Sequence, residues 1–244
     1  MKLNTLVRFL NKELRVKAIE DSSRNGLQVR GRKEVKKIGI GVDACMDVFK
    51  KAKQQNCDAV LVHHGLIWNK KKTDKKTKER RISYLKKNKM SLLGYHLPLD
   101  IHRKYGNNSL IMDFLGTKEK KRFAKFGFKG CFERPVEIRK LVNRINKEMK
   151  TKSHCLLFGK KKVRTIGVVS GSWKEGVMTA INNNLDVYLA GEIQNVYPLT
   201  KENNINVIFA GHYATETFGV RAVGKLLKDR FGLKIVFIHN PTRI

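Results

Sequence analysis

Imidazole and carboxylate side chains recur in this chain just after segments that are typical of buried strands. The candidates, each placed where a strand is expected to end, are His63, His64, His96, Asp100, His212 and Glu216. Imidazole combined with carboxylate suits Zn, Fe, Mn or Co better than Ca or Mg. A carboxylate can bridge two ions, and two ions about 3.5–4 Å apart can share and activate a water molecule. These residue types therefore predict a metal centre with two divalent ions, whose identity the side chains leave open.

The doublet His63-His64 follows an apolar run and precedes Gly65. Neighbouring residues of a regular strand point to opposite faces, so both imidazoles can reach one site only where the strand is ending. Gly65 permits the necessary irregularity of the backbone. Further along, His96 and His212 are each followed by a carboxylate four residues later. An isolated histidine is more often a core or surface residue, but the ordered set favours metal ligation.

The elements that position these groups are expected to alternate between strand and helix. The expected strands are Lys37–Asp43, Asp58–His63, Ser91–His96, Ser153–Phe158, Val163–Ser170, Asp186–Ala190, Asn206–Gly211 and Lys234–His239. The expected helices are Thr5–Arg15, Met46–Gln55, Asn107–Leu115, Val136–Met149, Trp173–Asn183, Gln194–Glu202 and Thr215–Phe231. Several strands are short apolar runs, as expected of strands covered on both faces. The alternation predicts an α/β fold.

An internal similarity divides the chain. Residues 38–64 and 166–192 align without a gap, and each segment is expected to form a strand, a helix and a strand. Asn56 matches Asn184, and Asp58 matches Asp186. We therefore predict two related α/β lobes, 1–122 and 123–244, packed tightly as one unit. Open α/β sheets carry their sites beyond the carboxyl ends of the strands, where Asp43 is also expected to lie.

The charge of the chain indicates an anionic partner. Lys and Arg number 52 against 21 Asp and Glu, so the net charge is +31. A hydrophobic content of 41% excludes a disordered polybasic chain. A thermophile-type surface would raise Glu together with Lys, which is not the case here. Binding a polyanion would relieve the self-repulsion of these charges. Three basic runs therefore indicate DNA, RNA or an anionic small molecule as a partner: Lys70–Arg81, Lys118–Lys129 and Lys160–Arg164. No known nucleic-acid-binding motif accompanies them.

The remaining signals concern location and smaller motifs. The first fifteen residues lack the apolar core of a signal peptide, and no apolar stretch is long enough to span a bilayer. The four cysteines form no C-x-x-C pair and are interpreted as buried thiols. We therefore expect a soluble, cytoplasmic protein without membrane contact. The segment Ser170-Gly171-Ser172 is interpreted as a turn with Ser172 near a helix N-cap, where backbone N–H groups could bind phosphate.

The motifs, taken in order, resemble those of the NIF-three-like dinuclear metal-centre proteins, whose members are often named GTP cyclohydrolase type 2 homologs. The matching segments are Asn25-Gly26-Leu27-Gln28-Val29, His63-His64-Gly65, His96-Leu-Pro-Leu-Asp100, Gly191-Glu192 and Gly211-His212-Tyr213-Ala214-Thr215-Glu216. The resemblance covers nearly the whole chain. It corresponds to the short form of the family, because 244 residues leave no room for the large central insertion that many members carry.

The resemblance implies a two-metal cleft between two α/β lobes and a ring-like or cage-like homohexamer. It implies a ligand set carried over motif by motif: His63, His64, Asp100, His212 and Glu216. His96 would lie next to the ions, outside the ligand set itself. Glu192 would accept a proton or contact the substrate, so that Glu192 and Glu216 are the candidate catalytic carboxylates.

Three functions remain open at this point. The first is a metal-dependent hydrolase that acts on a phosphorylated, nucleotide-like or nucleic-acid substrate, including a ring opening of the GTP cyclohydrolase type. The second is a basic nucleic-acid-binding or scaffold protein whose metals are structural or regulatory. The third is a metal-handling protein that stores or delivers exchangeable ions.

Overall fold

Short apolar strands build two separate sheets in the computed structural model, which describes residues 1–69 and 74–242. The strands are β1 (Gly26–Val29), β2 (Lys37–Asp43), β3 (Ala59–His64), β4 (Ser91–Gly94), β5 (Lys121–Phe123), β6 (Gly127–Glu137), β7 (His154–Leu157), β8 (Lys162–Val169), β9 (Val187–Ala190), β10 (Asn206–Phe209) and β11 (Lys234–Phe237). The α-helices are α1 (Leu3–Glu13), α2 (Met46–Gln54), α3 (Lys75–Lys87), α4 (Leu97–Ile101), α5 (Asn107–Phe114), α6 (Ile138–Met149), α7 (Gly176–Asn182), α8 (Tyr197–Glu202), α9 (His212–Thr215) and α10 (Thr217–Phe231). The predicted α/β fold is confirmed, whereas the dinuclear cleft stays a prediction.

The contacts divide the chain into two compact units. The first contains Met1–Tyr105 and Gly219–Asn240, and the second consists mainly of Gly106–Phe218. The C-terminal strand β11 pairs with β2 and so joins the first sheet. The predicted lobes, 1–122 and 123–244, were defined by the internal similarity and not by contacts. They therefore stay a prediction.

The sheet of the first unit has the order β1-β4-β3-β2-β11. β4, β3, β2 and β11 run parallel, and β1 pairs antiparallel with β4. Alternate residues of β3 point to opposite faces: Leu61 packs with α1 and α10, whereas Val60 and Val62 pack with α2 and α3. Both faces are therefore covered, which explains why β3 is apolar throughout until His63 and His64.

The sheet of the second unit has the order β5-β6-β8-β9-β10-β7. Its central strands β8, β9 and β10 are parallel. One face packs against α5 and α6, and the other against α7 and α8. The register repeats that of the first unit, because Ile166 pairs with Val187 as Ile38 pairs with Ala59. The internal similarity in the sequence thus corresponds to the same strand–helix–strand structure in both units.

Several elements differ from the prediction: β1, β5, α3, α4 and α9 were not expected, and three further differences have an identifiable cause. β6 was missed because its residues are largely polar and a register shift between Cys131 and Val136 interrupts its pairing with β8. The expected helix Trp173–Asn183 begins only at Gly176, with Glu175 rather than Ser172 at the N-cap, so the prediction for Ser172 is wrong. The expected helix Gln194–Glu202 begins at Tyr197, since Pro198 favours the first turn.

The basic run Lys70–Arg81 is partly a helix. Residues 70–73 lie outside the described residues, and from Lys75 the run forms the start of α3. The carboxylate of Asp74 accepts hydrogen bonds from the N–H groups of Lys76 and Thr77 and so caps that helix. None of the described helices is both long enough and apolar enough to cross a membrane. All four cysteines are free thiols, but only Cys57 is buried, so the expectation of buried thiols is wrong for the other three.

Candidate metal centre

Three imidazoles of the first unit lie together at the carboxyl end of its sheet. The ring centroids of His63 and His64 are 4.6 Å apart, and that of His96 lies 5.1 Å from His63 and 5.6 Å from His64. One nitrogen from each ring can be chosen so that all three lie within 4.8 Å of one another. His63 and His64 end β3, and His96 follows β4, so the parallel strand ends bring the rings together. The structure thus brings the His doublet and His96 together within this unit.

Each of these imidazoles uses its Nδ1 atom for an oxygen away from the cluster. His63 Nδ1 lies 3.1 Å from the carbonyl oxygen of Tyr95, and His64 Nδ1 lies 2.8 Å from Asp43 Oδ1. His96 Nδ1 lies 3.0 Å from Asp21 Oδ1. A carbonyl or carboxylate oxygen only accepts, so Nδ1 is the donor to that oxygen and the ring is oriented with Nε2 directed away from it. Histidine ligands of metals are oriented in this way in proteins.

Asp21 is a positioning residue that the sequence analysis missed. Only 2% of its side chain is exposed. Besides His96 Nδ1, its carboxylate accepts hydrogen bonds from the backbone N–H groups of Ser23 and Leu97 and from the side-chain amide of Asn25. Burial alone would raise the pKa of Asp21, but the hydrogen bond and positive charge of His96, with those from Ser23 and Asn25, outweigh it and lower the pKa. Asp21 therefore carries its charge beside His96.

The segment Asn25–Val29, part of the motif resemblance, braces the loops that carry the histidines. Asn25 Oδ1 accepts a hydrogen bond from the backbone N–H of His96 at 2.7 Å. Gln28 Oε1 accepts from the N–H groups of Leu66 and Ile67, just after the His63-His64-Gly65 turn. These two amides give the motif a structural role that its sequence did not indicate.

The carboxylate of Asp100 completes the candidate ligand groups of the first unit. It lies in α4, is 5% exposed, and its Oδ2 atom is 3.4 Å from Nε2 of His63. α4 begins directly after His96, with Pro98 in its first turn. The four-residue spacing between His96 and Asp100 thus spans one short helix. The structure thus places the carboxylate of Asp100 beside the imidazole of His63.

The second unit presents its own imidazole and carboxylates. His212 Nε2 lies 3.0 Å from Glu216 Oε1, and His212 Nδ1 lies 2.6 Å from Glu192 Oε1. His212 begins α9 after β10, Glu192 follows β9, and Glu216 is 2% exposed. The imidazole of His212 is thus oriented by an outer carboxylate, as are those of His64 and His96.

The charges around His212 favour a proton in the metal-free protein. Burial would lower the pKa of His212, but the hydrogen bonds and negative charges of Glu216 and Glu192 outweigh it and raise the pKa to about 9. Burial likewise would raise the pKa of Glu192, but hydrogen bonds from His212 and Ser172 lower it. Both groups are therefore charged near neutral pH, and a proton competes with a metal ion for His212 Nε2.

Gly171 gives Glu216 and His212 the space they occupy. Its φ of +65° is one that side chains other than glycine rarely adopt, and a Cβ here would lie 2.4 Å from Glu216 Oε1 and 3.1 Å from His212 Nε2. The N–H of Gly171 donates to Thr215 Oγ1, and that of Ser170 donates to Asn108 Oδ1. Because both N–H groups bind protein oxygens, the expectation that they bind phosphate is wrong.

The predicted site residues fall into two groups, one in each unit. His63, His64, His96 and Asp100 cluster in the first unit, where Asp43 binds His64. In the second unit, His212 lies between Glu192 and Glu216. Oε1 of Glu192 contacts Nδ1 of His212, which gives this carboxylate a positioning contact, and its role as proton acceptor or substrate contact stays a prediction.

Comparison with known proteins finds similarity over almost the whole chain. The DUF34/NIF3 (NGG1p interacting factor 3) family profile matches residues 1–243. A protein of Archaeoglobus fulgidus named GTP cyclohydrolase 1 type 2 homolog is 36% identical, with 100% of both chains covered. A homolog of the same name from Pyrococcus horikoshii is 37% identical over 99% of both chains.

Solved structures show the same fold. The protein TTHA1606 from Thermus thermophilus superimposes with a TM-score of 0.92 at 36% identity, with 100% of both chains covered. The protein ybgI, described as of unknown function, superimposes with a TM-score of 0.93 at 30% identity, covering 99% of this chain and 100% of that one. The strand ends that carry His63-His64-Gly65 and Gly211–Glu216 thus belong to a shared architecture, and the chain is a member of the DUF34/NIF3 family.

Proposed function

We propose that this protein is a metal-dependent hydrolase of phosphorylated or nucleotide-like substrates. The observation that carries the proposal is the common orientation of four imidazoles, His63, His64, His96 and His212. In each, Nδ1 is held by an outer oxygen and Nε2 keeps the position of a ligand atom. Histidines that serve only the surface or the core are not expected to share this orientation, whereas histidines that bind metals usually have it.

The proposed ligands are His63, His64 and Asp100 of the first unit and His212 and Glu216 of the second. When bound, divalent ions at such ligands polarise phosphoryl or carbonyl oxygens and lower the pKa of a bound water. The donor set fits Fe, Zn, Mn or Co, because it combines imidazole nitrogens with carboxylate oxygens. Asp100 and Glu216 are buried carboxylates that offset the positive charge of two ions.

The remaining residues orient the ligands. Asp21, Asp43 and Glu192 hold the rings of His96, His64 and His212 through Nδ1. Glu192 binds His212 rather than standing free, so we propose that it acts by positioning this imidazole, and that Glu216 is the carboxylate nearest the reacting groups. The relatives are named after GTP cyclohydrolase, so a ring opening of a purine nucleotide is one form of the proposed hydrolysis.

Elemental analysis with an activity panel tests the proposal. We expect about two divalent ions per chain and turnover of nucleotides or phosphate esters that a chelator abolishes and added metal restores. H64A and E216A should each lose metal and turnover together, whereas the surface variant K53Q should retain both. A fully metallated protein without turnover on a broad panel would contradict hydrolysis, and exchangeable substoichiometric metal would favour metal handling instead. Light scattering of the same sample tests the homohexamer.

A second candidate function, nucleic-acid binding, is favoured by one surface of the second unit. The apolar residues of α6 are buried against the sheet, and its outer face carries Arg139, Lys140, Arg144 and Lys147. The backbone N–H of Ile138 donates to the carbonyl oxygen of Lys161, which brings the start of α6 next to exposed lysines of the run Lys160–Arg164. Exposed cations far outnumber exposed carboxylates in residues 134–164. The exposed acidic side chains there are Glu137 and Glu148. The exposed basic side chains are Arg134, Arg139, Lys140, Arg144, Lys147, Lys150, Lys152, Lys160, Lys161, Lys162 and Arg164.

This basic ridge, defined as α6 with residues 160–164, fits a phosphate backbone better than a membrane. A membrane-binding helix needs a free apolar face, and that of α6 is occupied by its own sheet. Binding should therefore be electrostatic and should weaken steeply as salt rises. We expect the variant R139Q/K140Q/K161Q/K162Q to lose most of its affinity for an RNA or DNA duplex of about 30 base pairs, and the equally discharged K12Q/K17Q/K50Q/K53Q to lose much less. If both variants lost affinity equally, the binding would depend on net charge alone and not on the basic ridge. If no duplex bound even at low salt, nucleic-acid binding would be excluded.

A further inference from the structure

An indole ring stands beside the three imidazoles of the first unit. The ring of Trp68 contacts that of His96 edge to face, with centroids 4.9 Å apart, and lies 6.3 Å from His64. Trp68 is only partly buried. Among the described residues it belongs to none of the apolar clusters that form the core, although its neighbours Leu66 and Ile67 pack into one. A large aromatic side chain that stays partly exposed beside a cluster of imidazoles suggests a role in binding.

The position of Trp68 is fixed by its surroundings. Its Nε1–H donates to the carbonyl oxygen of Gly65 at 2.8 Å, which ties the indole to the turn after the histidine doublet. The backbone of Trp68 bridges that of Ser23, and the next residue, Asn69, donates to the carbonyl oxygen of Ser22 at 2.7 Å. A ring held in this way loses little conformational freedom when a ligand packs on it.

The chemistry of a ligand for this ring follows from its neighbours. A partly exposed indole binds either a cation over its face or another planar aromatic group. A cation is disfavoured by a chain with a net charge of +31 and by a neighbouring site proposed to hold metal ions. A planar aromatic group that carries negative charge satisfies both constraints, because its anionic part is attracted to the proposed metal ions and its ring to the indole. Purine nucleotides are ligands of this kind.

We propose that Trp68 is the base-binding residue of the site, stacking on the purine of a nucleotide whose phosphates lie toward the histidine cluster. This inference rests on the proposed function and names the part of its substrate that the protein recognises. It makes Trp68 a determinant of specificity: the indole distinguishes a nucleotide from a phosphate compound without a ring.

Two substitutions separate stacking from support of the loop. W68F and W68L both lose the hydrogen bond to Gly65, but only W68F keeps an aromatic face. We expect W68F to bind GTP and ATP within about threefold of the unchanged protein, and W68L to bind them about tenfold or more weakly. The affinity for inorganic triphosphate, measured by calorimetry, should be the same in both. Thermal unfolding and metal content of the two variants serve as controls for folding.

The fluorescence of Trp68 offers a direct measure of nucleotide binding. In W173F, Trp68 is the single tryptophan of the chain, and its emission should be quenched saturably by GTP or ATP but not by triphosphate. The inference is overturned if W68L weakens nucleotide and triphosphate binding equally, if it weakens neither, or if purine nucleotides do not bind. Nucleotide binding that depends on Trp68 without any turnover would leave this inference standing and contradict the hydrolase. Turnover that is insensitive to W68L would contradict this inference alone.

Discussion

Asp58 and Asp186 accept hydrogen bonds at equivalent backbone positions of the two units. Asp58 Oδ2 accepts from the N–H groups of Lys36 and Lys37 at the start of β2, at 2.9 and 3.1 Å. Asp186 Oδ2 accepts from Arg164 and Thr165 in β8, at 2.8 and 3.0 Å. Each carboxylate precedes the next parallel strand and ties it to the preceding strand. The identity of these two residues in the sequence therefore reflects a repeated structural constraint rather than chemistry at the site.

Replacing Asp186 by Asn tests this constraint. Side-chain exposure of Asp186 is 10%, and two backbone donors would lose a charged acceptor, so we expect D186N to unfold about 1–2 kcal/mol more easily at neutral pH. Lys160, whose side chain is 75% exposed, contributes little to this figure. Denaturant unfolding at neutral pH measures the difference. D186N should leave the metal content unchanged, because Asp186 takes no part in the proposed centre.

The same residue predicts a pH dependence. Burial alone would raise the pKa of Asp186, but hydrogen bonds from Lys160 and from the N–H groups of Arg164 and Thr165 outweigh it and hold the pKa below 3.8. The stabilisation is therefore present above pH 3.8 and is lost as the pH falls through the lower folded-state value. We expect the difference in unfolding free energy between the unchanged protein and D186N to shrink in acid. An equal difference at neutral pH and at about pH 3 would contradict the role of the charge.

The sequence predicts the parallel strands and the placement of imidazoles at their ends, because both follow from local patterns. Apolar runs such as β3 must be buried on both faces, and His63 and His64 stand out at their end. The ends of α2 and α7 are a second local signal, because each is followed by an asparagine with positive φ: Asn56 at 53° and Asn184 at 52°. These signals need no knowledge of long-range contacts.

Groups that act through long-range contacts were not predictable. Asp21 lies 75 residues before His96 in the chain, and no spacing rule connects the two. Gln28 reaches a loop 38 residues away. Their roles depend on the register of β1 beside β4, an antiparallel edge strand that is too short to be recognised from its four residues. The outer positioning groups are thus the part of the site that requires the structure.

Removing the charge of Asp21 tests the orientation of His96. We expect D21N to bind metal up to about tenfold more weakly than the unchanged protein, because an amide offers one acceptor oxygen where the carboxylate offers two, and the ring of His96 beside the proposed ligands is held less firmly. Competition with a chromophoric chelator measures this affinity. D43N, which removes the negative charge beside the proposed ligand His64, should weaken metal binding by about 10–100-fold. Unchanged metal affinity in D21N, with unfolding also unchanged, would contradict the positioning role.

Gly171 and Gly232 provide a matched pair for the second unit. Both have positive φ, +65° and +64°, but a Cβ at Gly232 has no atom within 4 Å, whereas one at Gly171 meets Glu216 and His212. Both alanine variants carry a backbone cost of about 1 kcal/mol. We expect only G171A to lose metal and to lose additional stability, measured by elemental analysis and denaturant unfolding. Equal behaviour of G171A and G232A would mean that the ligand pair tolerates displacement.

A double substitution tests how Gln28 supports the histidine turn. A Cβ at Gly65 would lie 2.2 Å from Gln28 Nε2, so G65A forces the amide out of place and breaks its hydrogen bonds to Leu66 and Ile67. Q28A removes the same bonds but leaves space for that Cβ. The second substitution should therefore cost much less in the presence of the first, with a coupling free energy of about 1 kcal/mol or more.

Unfolding of the two single variants and the double variant measures this coupling, and metal titration shows whether His63 and His64 keep their positions. Strictly additive losses would show that Gly65 is required for its backbone conformation alone, and that Gln28 supports the turn independently.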